Sequence, residues 1–168
     1  MDQHETQTTL KSGALAYQKK MRNPFYFWFG MLIKLPSAVF WGLRLKALDA
    51  EKCVVTLPYS WRTQNPFKSI YFAAMAGAGE LSTGALCQLV ISDIGKFSML
   101  VVDFRAEYFK KANQSINFTC VQGQELFQLL RSIPVGETGK LTMVSTGRNR
   151  QEEEVARLYV TWSFKRKA

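Results

Sequence analysis

Six stretches of the chain alternate apolar with polar or β-branched residues at a period of two, and one long stretch is apolar almost throughout. In LRLKALD (43–49), Leu43 and Leu45 alternate with Arg44 and Lys46, and KCVVTLP (52–58) is rich in β-branched side chains. Two strands joined by a short turn near Ala50–Glu51 are predicted. MLVVDFRAEYF (99–109) puts Val102, Phe104, Ala106 and Tyr108 on one face and Asp103, Arg105 and Glu107 on the other; SINFTCVQ (115–122) sets Ile116, Phe118 and Cys120 against Asn117 and Thr119. GKLTMVSTG (139–147) and VARLYVTWSF (155–164) flank the polar loop RNRQEEE, which predicts a hairpin with Leu158, Val160, Trp162 and Phe164 facing in. QELFQLLRSI (124–133) reads as a short helix that stops before Pro134.

The long apolar stretch lies between the second and third of these strands. From Ser69 to Ser92 the only charged side chain is Glu80, and residues 73–79, AAMAGAG, are nearly all small. A helix apolar nearly all round belongs inside a domain. Gly within a helix costs about 1 kcal/mol relative to Ala, so glycines here point to a close approach by whatever packs on the helix. The coarse order, α-β-β-α(long)-β-β-α(short)-β-β, predicts an α+β domain: an antiparallel sheet of about six strands, with one wet face, curved around one central helix. If that helix starts at Asn65-Pro66, with Asn as N-cap and Pro at the first position, Ser69, Ala73, Ala76, Glu80, Thr83 and Cys87 share one small, slightly polar stripe.

Ahead of the strands, PFYFWFGMLIKLPSAVFWG (24–42) is strongly apolar, but Lys34 and Pro36 keep it from spanning a bilayer. One or two short helices packed on the domain are predicted, with a helix lying on a membrane surface as the weaker alternative. The expected organisation is a mobile tail over 1–20, N-terminal apolar helices over 21–42 and the main domain over 43–168. The 168 residues, 47% hydrophobic and 21% charged, fit one globular domain. The polar start lacks a basic region of the kind that opens a signal peptide, and a cytoplasmic location is expected.

Cys53, Cys87 and Cys120 are odd in number and widely spaced, which argues against zinc and against a disulfide framework and for buried, reduced thiols. The net charge of +9 favours an anionic partner, yet it is dispersed, and no nucleic-acid motif is present. The single histidine, His4, lies in the expected tail. Chemistry that needs a histidine base is thereby disfavoured, and a carboxylate must do any acid–base work.

The order of elements, together with NPFKSIYFAAMAGAGELSTG (65–84), resembles the hotdog fold. It is similar to that fold's thioesterase-like branch, near the PaaI-like and YiiD-like families and the domain-of-unknown-function family 4442. In that pattern an Asn precedes the helix and an acidic residue sits about four turns in; Asn65 and Glu80 fall on those positions. The resemblance covers roughly residues 40–164. It implies hydrolysis of an acyl-CoA or acyl-carrier thioester by a homodimer or tetramer whose site is built across two subunits. It implies no cofactor, coenzyme A being part of the substrate, and no metal.

On that reading Glu80 is the catalytic base or nucleophile, and Asn65 orients water or the thioester carbonyl. Ser69, Tyr71, Phe72 and Thr83 are candidate substrate-binding residues, the N–H groups near Ile70–Phe72 forming an oxyanion site if the helix starts nearer Ser69. Each also has a plain structural role available. Glu80 suits a buried pair, Asn65 a helix cap, Ser69 a second cap, and Thr83 a bond back to its own helix. Many relatives carry His-Gly-Gly or Gly-Ser at the helix start, where this chain has KSIYFA (68–73), Tyr71 standing near the His position. That departure favours the alternative, a non-catalytic acyl-CoA or lipid-binding protein. Lys110, Lys111, Arg148 and Arg150 are the candidates for coenzyme A phosphates.

Overall fold

The computed structural model describes residues 9–168. Three short helices lead the chain: α1 (Ser12–Arg22), α2 (Pro24–Lys34) and α3 (Pro36–Phe40). Then follow β1 (Arg44–Leu48), β2 (Cys53–Leu57), α4 (Phe72–Ile94), β3 (Phe97–Tyr108), β4 (Ile116–Cys120), α5 (Gly123–Ser132), β5 (Thr138–Arg148) and β6 (Glu154–Arg166). All six strands join one antiparallel sheet in the order β1-β2-β4-β5-β6-β3. The central helix α4 packs on β2, β4, β5 and β6. This is the hotdog arrangement, with additional helices at the N-terminus.

The turns follow from single side chains. Asp49 Oδ1 accepts from the N–H groups of Glu51 and Lys52, both at 2.9 Å, and closes the β1–β2 hairpin. Asn149 does the same between β5 and β6, accepting from Gln151 and Glu153. Leu158, Val160, Trp162 and Phe164 are buried together, as the alternation of β6 requires. The small run of α4 serves close approach on two sides. A Cβ on Gly79 would sit 1.9 Å from Leu158 Cδ1, and one on Gly77 would sit 2.5 Å from Trp41 Cζ3. The sheet presses on one flank and the tryptophan after α3 on the other. The long, apolar α4 passes a composition test for a membrane span, yet 72% of its most apolar window is buried inside the domain. Cys53, Cys87 and Cys120 are free and buried.

Three expectations need correction. Residues 12–20 do not form a tail. They belong to α1, whose Ala14 and Met21 are buried, and the Lys11 N–H that precedes it donates to Asp93 Oδ1 at 2.6 Å. The first eight residues, His4 included, lie outside the described residues. The central helix starts at Phe72, later than either predicted start, because Ile70 N–H donates to Ala112 O and Tyr71 N–H to Thr63 O, both at 2.7 Å. Those tertiary bonds hold the preceding backbone extended. Finally, α2 packs on the domain through one edge only. Phe27 is buried, while six large apolar side chains of this helix remain exposed.

The face of β3 carrying Phe104 and Tyr108 is also open. Strand β3 bulges between Val101 and Asp103, then pairs Phe104 with Val160 and Tyr108 with Ala156. Directly paired residues point to the same face, so both rings lie on the helix-bearing side of the sheet. As β3 is an edge strand, they lie beyond the cover of α4 and remain exposed.

Candidate functional site

Glu80 lies midway along α4 and opens into a cavity of about 280 Å³ between that helix and the N-terminal helices. Tyr17 of α1, Met31 and Lys34 of α2, Gly84 and Gln88 of α4, Met99 of β3 and Trp162 of β6 share its wall. One turn on from Glu80, Gly84 leaves room for the carboxylate, since a Cβ there would lie 3.4 Å from Glu80 Oε1. No side chain among the described residues pairs with that carboxylate by hydrogen bond or ion pair. The buried-partner reading of Glu80 therefore finds no partner among the described residues. Burial raises its pKa, with loss of solvation as the cause.

That shift carries a sign for stability. Between the ordinary carboxylate pKa of the unfolded chain and the raised value of the folded one, the folded state holds more protons. Stability then falls as pH rises through that window. Glu80→Gln should be more stable than wild type at about pH 8, and the gap should close below about pH 4, where both states are protonated. Thermal melts of the two proteins across pH check this; a constant gap would mean that Glu80 titrates normally.

Thr83 and Trp162 brace the wall behind the carboxylate. Thr83 Oγ1 donates to Glu80 O at 2.8 Å and accepts from Trp162 Nε1 at 2.9 Å. The threonine is fully buried, so its hydroxyl supports the cavity instead of meeting a substrate.

The other predicted residues gather at the start of α4, and they do not meet Glu80. Asn65 caps a turn, not the helix. Its Oδ1 accepts from Phe67 N at 3.0 Å, Ser69 N at 3.2 Å and Ser69 Oγ at 3.1 Å. Lys68 adopts a positive φ of 55° inside this turn. Ser69 thus lies outside the helix and off the stripe expected to carry it. Tyr71 and Phe72 are exposed, their rings in edge contact at 4.9 Å, and Tyr108 Oη donates to Phe72 O at 3.3 Å. Of the expected oxyanion donors, Ile70 and Tyr71 are engaged by Ala112 and Thr63. The helix ladder begins with Ala74 N to Tyr71 O, which leaves Phe72 and Ala73 as the N–H groups at the positive end of the helix dipole. At 1.5 Å per residue, Phe72 and Glu80 stand about 12 Å apart along the axis.

Among the expected phosphate-binding side chains, Lys110 pairs with Glu153 and Arg148 with Glu154. The contributions of Tyr17, Met31 and Lys34 were not foreseen. Nothing in the local sequence of α1 or α2 signals that they face Glu80; only the tertiary packing brings them there.

Comparison with solved structures places the chain in known company. A candidate thioesterase from Pseudomonas aeruginosa is 18% identical and superposes with a TM-score of 0.72, covering 87% of this chain and 98% of its own. A thioesterase from Haemophilus influenzae is 12% identical, with a TM-score of 0.62, and the match covers 82% of this chain and 88% of that one. A variant of a Staphylococcus aureus thioesterase is 15% identical with a TM-score of 0.60, over 76% of this chain and 97% of its own. No curated protein matches the sequence. Residues 26–164, which include Glu80 and the start of α4, match the family described as Domain of unknown function (DUF4442), and the chain belongs to that family.

Proposed function

We propose that the protein is a thioesterase that hydrolyses an acyl-CoA or acyl-carrier thioester, with Glu80 as the group that activates water or attacks the thioester carbon. The observation that carries this reading is an unpaired carboxylate, raised in pKa by burial, in the wall of a largely apolar cavity. On the water route, Glu80 takes a proton as the water oxygen bonds to the carbonyl carbon. The C–S bond then breaks, and the sulfur leaves as a thiol on receiving that proton back from Glu80, which regains its carboxylate form. The Staphylococcus aureus protein is also similar to this chain as a second variant, and the two variants replace a glutamine and a glutamate fifteen positions apart. Asn65 and Glu80 have the same separation here.

The separation of Phe72 from Glu80 gives the reading a second requirement. One carbonyl cannot rest on the N–H groups at the start of α4 and also meet the carboxylate of the same chain. The site is completed when a second copy brings its own helix start to this Glu80. The open face of β3, with Phe104 and Tyr108, is the surface we assign to that contact. Phe104→Glu should halve the mass in solution and lower kcat/KM by roughly 10-fold or more, since misplacement of about 1 Å can cost 100-fold. Light scattering beside the activity assay reads both; a monomeric variant with full activity would place the whole site in one chain.

A second reading, a non-catalytic acyl-CoA or lipid-binding protein, draws on the engagement of the Ile70 and Tyr71 N–H groups. Thiol release from short, long and aromatic acyl-CoAs, by wild type beside Glu80→Gln, separates the two. Turnover that depends on Glu80 supports the hydrolase. Saturable acyl-CoA binding without turnover supports the binding protein.

A further inference from the structure

The largest unexplained surface is the outer face of α2. Phe25, Tyr26, Trp28, Phe29, Leu32 and Ile33 are all exposed, Phe25 at 70% and Ile33 at 69%. At 100° per residue these six cover one continuous arc, and only Trp28 among them lines either the Glu80 cavity or the one between α2 and β1. The opposite edge of the helix, with Phe27 and Met31, packs inward. Eleven residues reach about 16 Å, too short to cross a hydrocarbon core of about 30 Å. A short helix that turns tryptophan, tyrosine, phenylalanine and aliphatic side chains outward has the composition of an element lying in a bilayer interface.

A second feature adjoins this face. A cavity of about 370 Å³, distinct from that of Glu80, opens between α2 and β1. Arg22, Arg44 and Arg62 line it, with Trp28 at its rim on the α2 side. None of the three arginines is paired with a carboxylate among the described residues. Guanidinium groups gathered without an acid are suited to phosphate, which they hold bidentately. The charge of the whole region agrees. Residues 6–48 carry seven lysines and arginines and no aspartate or glutamate, and so hold most of the net +9.

We infer that α2 docks on a bilayer surface rich in anionic phospholipid, its aromatic face in the acyl boundary and a lipid phosphate in the arginine-lined cavity. Apolar burial supplies the grip and the basic surround supplies the preference for negative headgroups. The inference stands apart from the thioesterase reading, because neither the α2 face nor the arginine cavity includes Glu80.

Flotation of the full chain with vesicles tests it. Vesicles of phosphatidylcholine alone are compared with vesicles carrying ~30% phosphatidylglycerol, at about 0.1 M salt. The wild type is expected to float with the anionic vesicles and to remain behind with the neutral ones. Phe29→Asp with Ile33→Asp should weaken binding by at least about 10-fold. Arg44→Gln with Arg62→Gln should remove most of the preference for phosphatidylglycerol. Inorganic phosphate at matched ionic strength should not displace the protein. Both variants alter exposed side chains and should keep the wild-type mass in solution. The inference is overturned by failure of the wild type to bind either vesicle, by equal binding to both, or by full binding of the aspartate variant. It is also overturned if the aspartate variant drops to half mass, for then a second copy of the chain covers α2. Displacement by inorganic phosphate would make the arginine cavity a site for a soluble phosphate instead.

Discussion

Glu80→Gln is expected to lower kcat/KM for thioester hydrolysis by at least ~100-fold, the range seen when a general base is removed. Gln keeps the size of the side chain and removes the proton acceptor. Because no described side chain pairs with the carboxylate, the substitution strands no buried partner. The fold should therefore survive, and the loss should appear in activity alone. The pH profile gives an independent check. Burial raises the pKa of Glu80, so the acid limb of kcat/KM in the wild type should lie above the ordinary carboxylate range. A variant that keeps more than a tenth of the activity, or a wild type with an acid limb in the ordinary range, would remove Glu80 from the chemistry.

Gly123→Ala should destabilise the fold by about 2 kcal/mol, the clash itself costing about 3 kcal/mol, the upper end of typical overpacking costs. Gly123 opens α5, and its N–H donates to Glu51 O at 2.9 Å. A Cβ at this position would sit 2.0 Å from Ala50 O and 2.8 Å from Glu51 Cα. Both atoms are backbone, in the β1–β2 turn that Asp49 locks with two hydrogen bonds. Neither side can yield without drawing α5 away from the core, where Leu126, Phe127 and Leu130 are buried. Alanine is the better helix former and restricts the unfolded chain, which together offset about 1 kcal/mol. The clash wins by about 2 kcal/mol, and the melting temperature should fall by roughly 4–8 °C for a domain of this size. Gly30→Ala is the control, as a Cβ there meets nothing within 4 Å and should be neutral or mildly stabilising. Equal melting temperatures for the two variants would mean that the turn and α5 are not in this close contact.

The sheet was legible because its signals are local. Alternation in residues 155–164 placed Leu158, Val160, Trp162 and Phe164 inward, and all four are buried. Pro134 marked the end of α5, which closes at Ser132. The small run 73–79 signalled close packing, which Gly77 and Gly79 display. Features decided by distant partners were not legible. The start of α4 depends on Thr63 and Ala112 capturing two N–H groups, and no pattern around Asn65 announces that. Residues 12–20 looked like part of a tail because only Ala14 and Met21 of this helix are buried and its anchor, Asp93, lies eighty-two positions away from Lys11. Half of the candidate site was readable, since Glu80 stands alone in an apolar run. Its other wall, from Tyr17 to Lys34, becomes visible only once α1 and α2 are folded against α4.

The strand order has a consequence for how the chain is made. Among the described residues strand β3 has a single neighbour, β6, which is synthesised after every other described element. About 60 residues separate the end of β3 from the completion of its partner, roughly 3–12 s at ordinary rates of translation. During that interval β3 holds an unpaired edge and exposes Leu100, Val102 and Phe104, and α4 lacks the wall that β6 provides. An incomplete chain is thus a sticky one, and a polypeptide ending before Glu154 would leave β3 free to pair with other chains. Strand β6 is the clasp that closes the wrap around α4, and the quality of a preparation will depend on whether that clasp is intact.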